Sequence, residues 1–197
     1  MNKNVKDAIK NRRSHYSISN ESLITDDALK DIIHFAVMNV PSSFNSQSAR
    51  LVLLLNGHHT KFWDIVKECL RPRSRDFNAT EEKINSFAAG YGTVLFYEDR
   101  NVIESLQEKF PSYRDNFPVW SHQASAMHQF AVWIMLEDAG FGASLQHYNP
   151  IIDQEVAKEW GIDPQWQMVA QMPFGVPTSN PAPKQFQPLD GRVKIFE

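Results

Sequence analysis

The 197-residue chain has a single cysteine, Cys69, which excludes an internal disulfide and favours a reducing compartment. Cys69 stands beside Leu70 on the apolar side of a predicted helix, so a buried structural thiol is its expected role. Long apolar runs are also missing. No segment offers the roughly 20 consecutive apolar residues of a membrane span, and Met1-Asn2-Lys3-Asn4-Val5-Lys6 lacks the apolar stretch of a signal peptide. A soluble, cytoplasmic protein is expected. Neither sign of charge dominates: 20 Lys and Arg stand against 23 Asp and Glu, for a net charge of −3. That balance points neither to nucleic acid nor to an anionic membrane surface. No internal repeat and no low-complexity segment is present.

Several chemistries are excluded by missing motifs. His58 and His59 are adjacent and cannot both face one ion from a helix, and the chain has no His-Glu-x-x-His or Cys-x-x-Cys. The seven histidines are therefore read as incidental surface residues, with no metal site. No Gly-x-Ser-x-Gly elbow supports a serine hydrolase. Gly140-x-Gly142 lacks the third glycine of a dinucleotide fingerprint and follows a predicted helix where that fingerprint needs a strand. A phosphate-cradling Gly-x-x-x-x-Gly-Lys loop is missing as well.

What the chain does have is length for one well-filled domain and a generous aromatic content, with 13 Phe and 5 Trp. Such a content suits a large core, a subunit interface or an aromatic-lined pocket. Val5, Ala8 and Ile9 predict a short first helix. Thr25 is a good N-cap for a second, with Asp26 and Asp27 at its positive end and a stripe of Leu29, Ile32, Ile33, Ala36 and Val37. Pro41 stops it. Leu51 to Leu55 reads as a buried strand, and Thr60 as the cap of a helix running toward Pro72. A helix over about 81–89 leads to a strand at Gly92–Tyr97, and Asn101 to Phe110 reads as helix. Pro111 and Pro118 punctuate the link to the longest helix, Ser121 to Ala139, apolar nearly all round and closed by Gly140. Ala143–Gln146 reads as strand, Pro150–Trp160 as helix, and Trp166–Met172 as a last core strand. From Pro173 onward five prolines and the apolar end Val193, Ile195, Phe196 read as an extended arm that needs a surface to lie on.

Two polar clusters frame the first helices. Asn11-Arg12-Arg13-Ser14 closes one helix, and two guanidinium forks with a hydroxyl suit a phosphate. Pro41-Ser42-Ser43-Phe44-Asn45-Ser46-Gln47 follows the next, and its hydroxyl and amide groups suit the edge of a flat heterocycle. Each also has a plainer reading, the first as a helix C-terminus complementing its dipole and the second as a turn. Taken together they point to a phosphorylated aromatic cofactor, for which flavin mononucleotide (FMN) fits best.

On these residues the chain resembles the nitroreductase family of FMN-dependent oxidoreductases, in particular its short branch of fatty-acid-repression type proteins. The likeness runs over nearly the whole length. It takes in Arg12-Arg13-Ser14, the loop Pro41 to Gln47, the segment Leu136 to Pro150, Pro173-Phe174-Gly175, and the terminal stretch Lys184 to Phe196. The resemblance implies an α+β fold, a mixed and mostly antiparallel sheet flanked by helices, in an intertwined homodimer. Residues 1–197 would form one FMN-binding domain, with 176–197 as an arm crossing to the partner. Arg12, Arg13 and Ser14 would hold phosphate and ribityl groups, joined from the arm by Lys184 and Arg192. Ser42, Ser43, Asn45 and Gln47 would reach the flavin of the other subunit, and the backbone at Gln146, His147 and Tyr148 would lie against the ring's central edge. Many members carry Arg or Lys two positions after the serine, near flavin N1; here that position is Tyr16, and Lys83 is the other candidate to stabilise N1 and O2. The implied activity is transfer of electrons from NADH or NADPH to a nitroaromatic or quinone by ping-pong turnover, with no catalytic side chain because the flavin performs the chemistry. The alternative is a non-catalytic flavin- or lipid-responsive regulatory protein.

Overall fold

A computed structural model of the chain describes residues 4–74 and 76–197. In order, the elements are α1 (Val5–Asn11), β1 (Ile18–Ser19), α2 (Asp26–Asn39), β2 (Ala49–Leu55), α3 (Gly57–Leu70), α4 (Asn78–Ala88), β3 (Gly92–Asp99), α5 (Arg100–Lys109), α6 (Asn116–Asp138), β4 (Gly142–Ala143), α7 (Asp153–Trp160) and β5 (Trp166–Pro177). The sheet runs β1-β5-β3-β2, with β4 also paired to β5, and all of these pairings are antiparallel. A single parallel bridge joins Ser14 to Ala143. The fold is the α+β arrangement expected, with a mostly antiparallel sheet.

β3 is the centre of the molecule, buried along its whole length. Its side chains alternate with the period of two of a strand, so each face of the sheet gains its own core. Val94 and Phe96 pack with Leu29, Ile33 and Ala36 of α2 and Val132 and Leu136 of α6. Leu95 and Tyr97 point the other way, onto Phe62, Trp63 and Val66 of α3, Ile84 and Phe87 of α4, and Val156 of α7. Helices thus cover both faces.

Local signals account for several boundaries. Thr25 caps α2 as predicted, its hydroxyl accepting the Ala28 N–H at 3.2 Å. α3 begins three residues before the cap expected at Thr60, because Asn56 turns sharply out of β2 with φ of 54° and serves as the N-cap residue itself. Pro118 lies inside the first turn of α6, where its missing N–H has no helical partner to lose. Gly140 takes the left-handed conformation expected after α6, with φ of 91°. β5 passes Pro173 and ends at Pro177, where β1 and β4 flank it with two residues each. The strand expected over Ala143–Gln146 shrinks to β4 and one bridge between Gln146 and Gln171. Among the described residues no helix is long and apolar enough to cross a membrane.

Candidate functional site

α1 ends at Asn11, and Arg12 leads the chain out of it; the Arg12 N–H still bonds Ala8 O at 2.9 Å. The chain then runs extended beside β4, with Ser14 bridged to Ala143 and the His15 N–H bonded to Ala143 O at 3.0 Å. That close approach requires Gly142, since a Cβ there would meet the His15 side chain at 2.7 Å. The Arg12 guanidinium stacks over Trp133 of α6, 4.3 Å from the ring centroid. Arg13 Nη2 donates to Ala182 O at 2.6 Å, tying the base of the C-terminal arm to this corner. No carboxylate forms an ion pair with either arginine among the described residues. Partial burial lowers the Arg12 pKa, and the charge of Arg13 adds to the effect. Burial also lowers the pKa of His15, whose Nδ1 is enclosed without a partner.

Gln146, His147 and Tyr148 follow β4 along the face of β5. Gln146 is buried and its Nε2 bonds Ser144 Oγ at 3.0 Å; His147 is exposed; Tyr148 stands edge-on to Trp63 with ring centroids 5.9 Å apart. Burial raises the Tyr148 pKa to about 12. Gln171 of β5, fully buried, bonds both the backbone of this segment and its side chains.

The loop after α2 is folded back on itself. Ser42 Oγ accepts the Gln47 N–H at 3.0 Å, and Ser42 O accepts that of Asn45 at 3.0 Å. Phe44, Asn45 and Gln47 all have φ between 50° and 57°, a strained state for the phenylalanine and glutamine. The strain sets Phe44 into an aromatic nest: Phe110 at 4.9 Å, Phe117 at 5.3 Å, and Trp120 stacked at 6.0 Å. This loop and the arginines lie toward opposite ends of α6. Trp120 and Trp133 are 13 positions apart, about 20 Å along the helix at roughly 1.5 Å per residue. Ser42 and Gln47 reach farther along the helix, to a hollow they share with His128, but among the described residues no hydrogen bond joins Ser42, Ser43, Asn45 or Gln47 to Arg12, Arg13 or Ser14.

Tyr16 and Lys83 flank one buried ring. The Tyr16 ring is 6.1 Å from that of Phe87, and Lys83 Nζ is 6.0 Å from the same centroid. Lys184 and Arg192 lie in the exposed arm with local contacts: Lys184 Nζ near the Phe186 ring, and Arg192 Nη1 on Gln187 O at 3.2 Å.

A hollow of about 620 Å³ contains none of these residues; it opens between Ile18–Asn20, the start of α3 and the end of α4. A smaller one of about 150 Å³ does include Ser42 and Gln47, with Arg50 and His128. The 620 Å³ hollow offers no lysine, arginine or carboxylate to a charged ligand. His59, expected at the surface, is instead 2 % exposed and structural. Its Nδ1 meets the Thr93 hydroxyl at 2.9 Å and its Nε2 meets Ala88 O at 3.2 Å, while burial lowers its pKa to about 4. Cys69 is only partly buried, on the wall of a 310 Å³ hollow with Glu68 and Glu155. No cluster of three or more His, Cys, Asp or Glu among the described residues could hold a metal ion.

Comparison with known proteins bears on this corner. A family model described as "Nitroreductase family" matches residues 9–176. The nitroreductase FRM2 of Saccharomyces cerevisiae is 32 % identical over 188 residues, 93 % of each chain. The structure of nitroreductase CinD from Lactococcus lactis in complex with 4-nitrophenol is 37 % identical with a TM-score of 0.90, covering 98 % of this chain and 99 % of that one. A nitroreductase from Desulfitobacterium hafniense with bound FMN shares the fold at 13 % identity, with a TM-score of 0.72 and full coverage of both chains.

Proposed function

Because the chain belongs to the nitroreductase family, an oxidoreductase family, we propose that it binds FMN and passes electrons from NADH or NADPH to nitroaromatic or quinone acceptors, which bind in turn over one flavin face. The observation that carries this reading is the pair Arg12 and Arg13, two adjacent cations with no carboxylate partner among the described residues, one already oriented by Trp133. Such a pair suits a phosphate dianion. The 4-nitrophenol held by the Lactococcus lactis relative supports a nitroaromatic acceptor.

In this reading Arg12 and Arg13 grip the phosphate, and Ser14 bonds the ribityl chain. Lys184 and Arg192 approach from an arm. Tyr16 and Lys83, both near the Phe87 ring, supply the polar groups near N1 and O2. The strand end Gln146–Tyr148 lies along the ring. FMN, when bound, supplies the hydride relay, so no side chain acts as an essential acid. The chain's part is to hold the ring, exclude water and present donors to it.

The loop Ser42–Gln47 completes the site from a second copy of the chain: no hydrogen bond among the described residues joins it to its own arginines, and its Phe44 and Arg12 rest on α6 at Trp120 and Trp133, about 20 Å apart by the helix rise. The surface supports such a homodimer. Phe35, Val37 and Met38 are exposed along α2, and Met127 and Phe130 on α6. Between α2 and the edge strand β2 a mostly apolar groove of about 440 Å³ is lined by Ile33, Val37, Met38, Leu51 and Leu53, with Lys30 and His34 also on its wall. Apolar surface of this kind marks an interaction face. The chain is one FMN-binding domain with an arm that starts after Pro177, two residues later than expected. Its single free thiol suits the cytoplasm.

The test is the visible spectrum of the purified protein followed by an acceptor screen. A yellow protein that oxidises NADH or NADPH when given a quinone or nitro compound agrees with the proposal. Tight FMN without turnover on any acceptor would favour a regulatory role, and absence of flavin would refute both.

A further inference from the structure

Three backbone N–H groups could face a flavin ring from the strand end Gln146–Tyr148, and two of them are already used. The Gln146 N–H donates to Gln171 O at 2.7 Å, and the Gln171 N–H returns to Gln146 O at 2.9 Å. The Tyr148 N–H donates to the side-chain Oε1 of Gln171 at 2.8 Å. Among the described residues the His147 N–H, between them, has no partner, and its residue is exposed.

The Gln171 amide has one workable orientation. Its Nε2 donates to Asn149 Oδ1 at 3.0 Å, with Met168 Sδ at 3.1 Å, and Asn149 Nδ2 donates in turn to Met168 O at 3.2 Å. A backbone N–H can only donate, so Oε1 must face Tyr148, and a flipped amide would lose both contacts. Gln171 is fully buried in the middle of β5, and no water competes for these bonds.

We propose that Gln171 is the positioning residue of this strand end: it turns the Gln146 and Tyr148 N–H groups inward and leaves that of His147 as the one backbone donor offered to the ring. The inference rests on the FMN reading above. A single fixed donor discriminates between flavin redox states, because the central ring nitrogen it would face is a hydrogen-bond acceptor when oxidised and carries hydrogen when reduced. Gln171 would therefore act on the flavin potential without touching the flavin.

The test uses Gln171→Met, close in volume but without the amide, and Gln171→Glu, which keeps an acceptor for Tyr148. Amide hydrogen exchange should show Gln146 and Tyr148 slow in wild type with or without FMN, and His147 fast in protein stripped of flavin but slowed when FMN is bound. Tyr148 should become at least tenfold faster in Gln171→Met and stay slow in Gln171→Glu. In the flavin-loaded Gln171→Met protein, oxidised FMN should bind about tenfold more weakly with little change for reduced FMN, raising the midpoint potential by about 30 mV for the two-electron couple. If Gln171→Met does not fold, Asn149→Ala, which removes the oxygen anchor of Nε2 together with the Asn149 Nδ2 bond to Met168 O, should accelerate Tyr148 exchange several-fold. A slow Tyr148 in both variants, or an unchanged or lowered potential in a flavin-loaded Gln171→Met protein, would overturn the inference while leaving the FMN reading intact. A wild-type protein without flavin would overturn that reading first.

Discussion

Removing the Arg12 side chain is the sharpest probe of the proposed phosphate grip. Arg12→Ala deletes a guanidinium that already lies 4.3 Å over Trp133, so the group is oriented before any ligand arrives. A charge-assisted hydrogen bond of this kind contributes roughly 1.5–3 kcal/mol, which is about tenfold to a hundredfold in affinity. Arg12→Lys keeps the charge but loses the fork and the flat stack on Trp133, and should fall between wild type and alanine. Arg13 is tied to Ala182 O, so Arg13→Ala should cost less for the phosphate and more for the seating of the arm. The assay is quenching of flavin fluorescence on titration with protein that has been stripped of cofactor, run in parallel with FMN and riboflavin. Riboflavin lacks the phosphate, so its affinity should be nearly the same in wild type and Arg12→Ala, while that of FMN drops. Equal losses for the two ligands would mean that Arg12 supports the fold or the ring instead, and an unchanged FMN affinity would refute the placement altogether.

Three further outcomes follow from particular groups. Glu98 is 1 % exposed with Oε1 unpartnered, and burial raises its pKa to about 7 against the opposing hydrogen bond from Ser48 and the charge of Arg50. The folded chain then keeps a proton that the unfolded chain loses near 4.5, so stability should fall as pH rises from about 4.5 to 7, by on the order of 3 kcal/mol; urea midpoints at pH 5 and 8 should differ in wild type and converge in Glu98→Gln. Tyr97 is buried with its hydroxyl unpartnered beside a 490 Å³ hollow, so Tyr97→Phe should raise stability by up to about 1 kcal/mol, read by thermal unfolding, whereas a loss of that size would show the hydroxyl is satisfied. Truncation after Pro183 removes Lys184, Arg192 and the exposed Val193, Ile195 and Phe196; light scattering and the flavin-to-protein ratio should both fall, and a truncated dimer with full flavin would show the arm is dispensable.

The fold was legible where local chemistry and periodicity agreed. The Thr25 cap and the Leu29–Ile33–Ala36 stripe define α2 on their own, and the apolar run at Gly92–Tyr97 became the doubly buried β3. Misplaced boundaries arose where one residue type serves two purposes. Asn56-Gly57 ends a strand and also starts a helix, and Pro118 breaks a helix interior yet fits a first turn. His59 looked like a surface residue because nothing nearby in sequence shows Thr93 and Ala88 closing over it. At the candidate site, Arg12, Arg13 and Ser14 stood out because their clustering is local. Trp133 beneath Arg12 and Gln171 behind Tyr148 did not, because sheet register and helix packing bring those pairs together across 121 and 23 residues. The distance between the loop Ser42–Gln47 and the arginines could be read only once both were placed along α6.

That distance makes a mixed dimer the most direct test of a flavin site built from two chains. Arg12→Ala would be paired with Ser43→Trp, which should block the loop from the partner's ring, and the differently tagged heterodimer purified. Each homodimer of a single variant should bind FMN poorly. In the heterodimer one site carries both defects and the other none, so flavin absorption should recover to about one FMN per dimer, with NAD(P)H oxidation at about half the wild-type rate, as two equivalent sites related by two-fold symmetry require. A heterodimer no better than either homodimer would place the loop and the arginines of each site on the same chain and contradict the account.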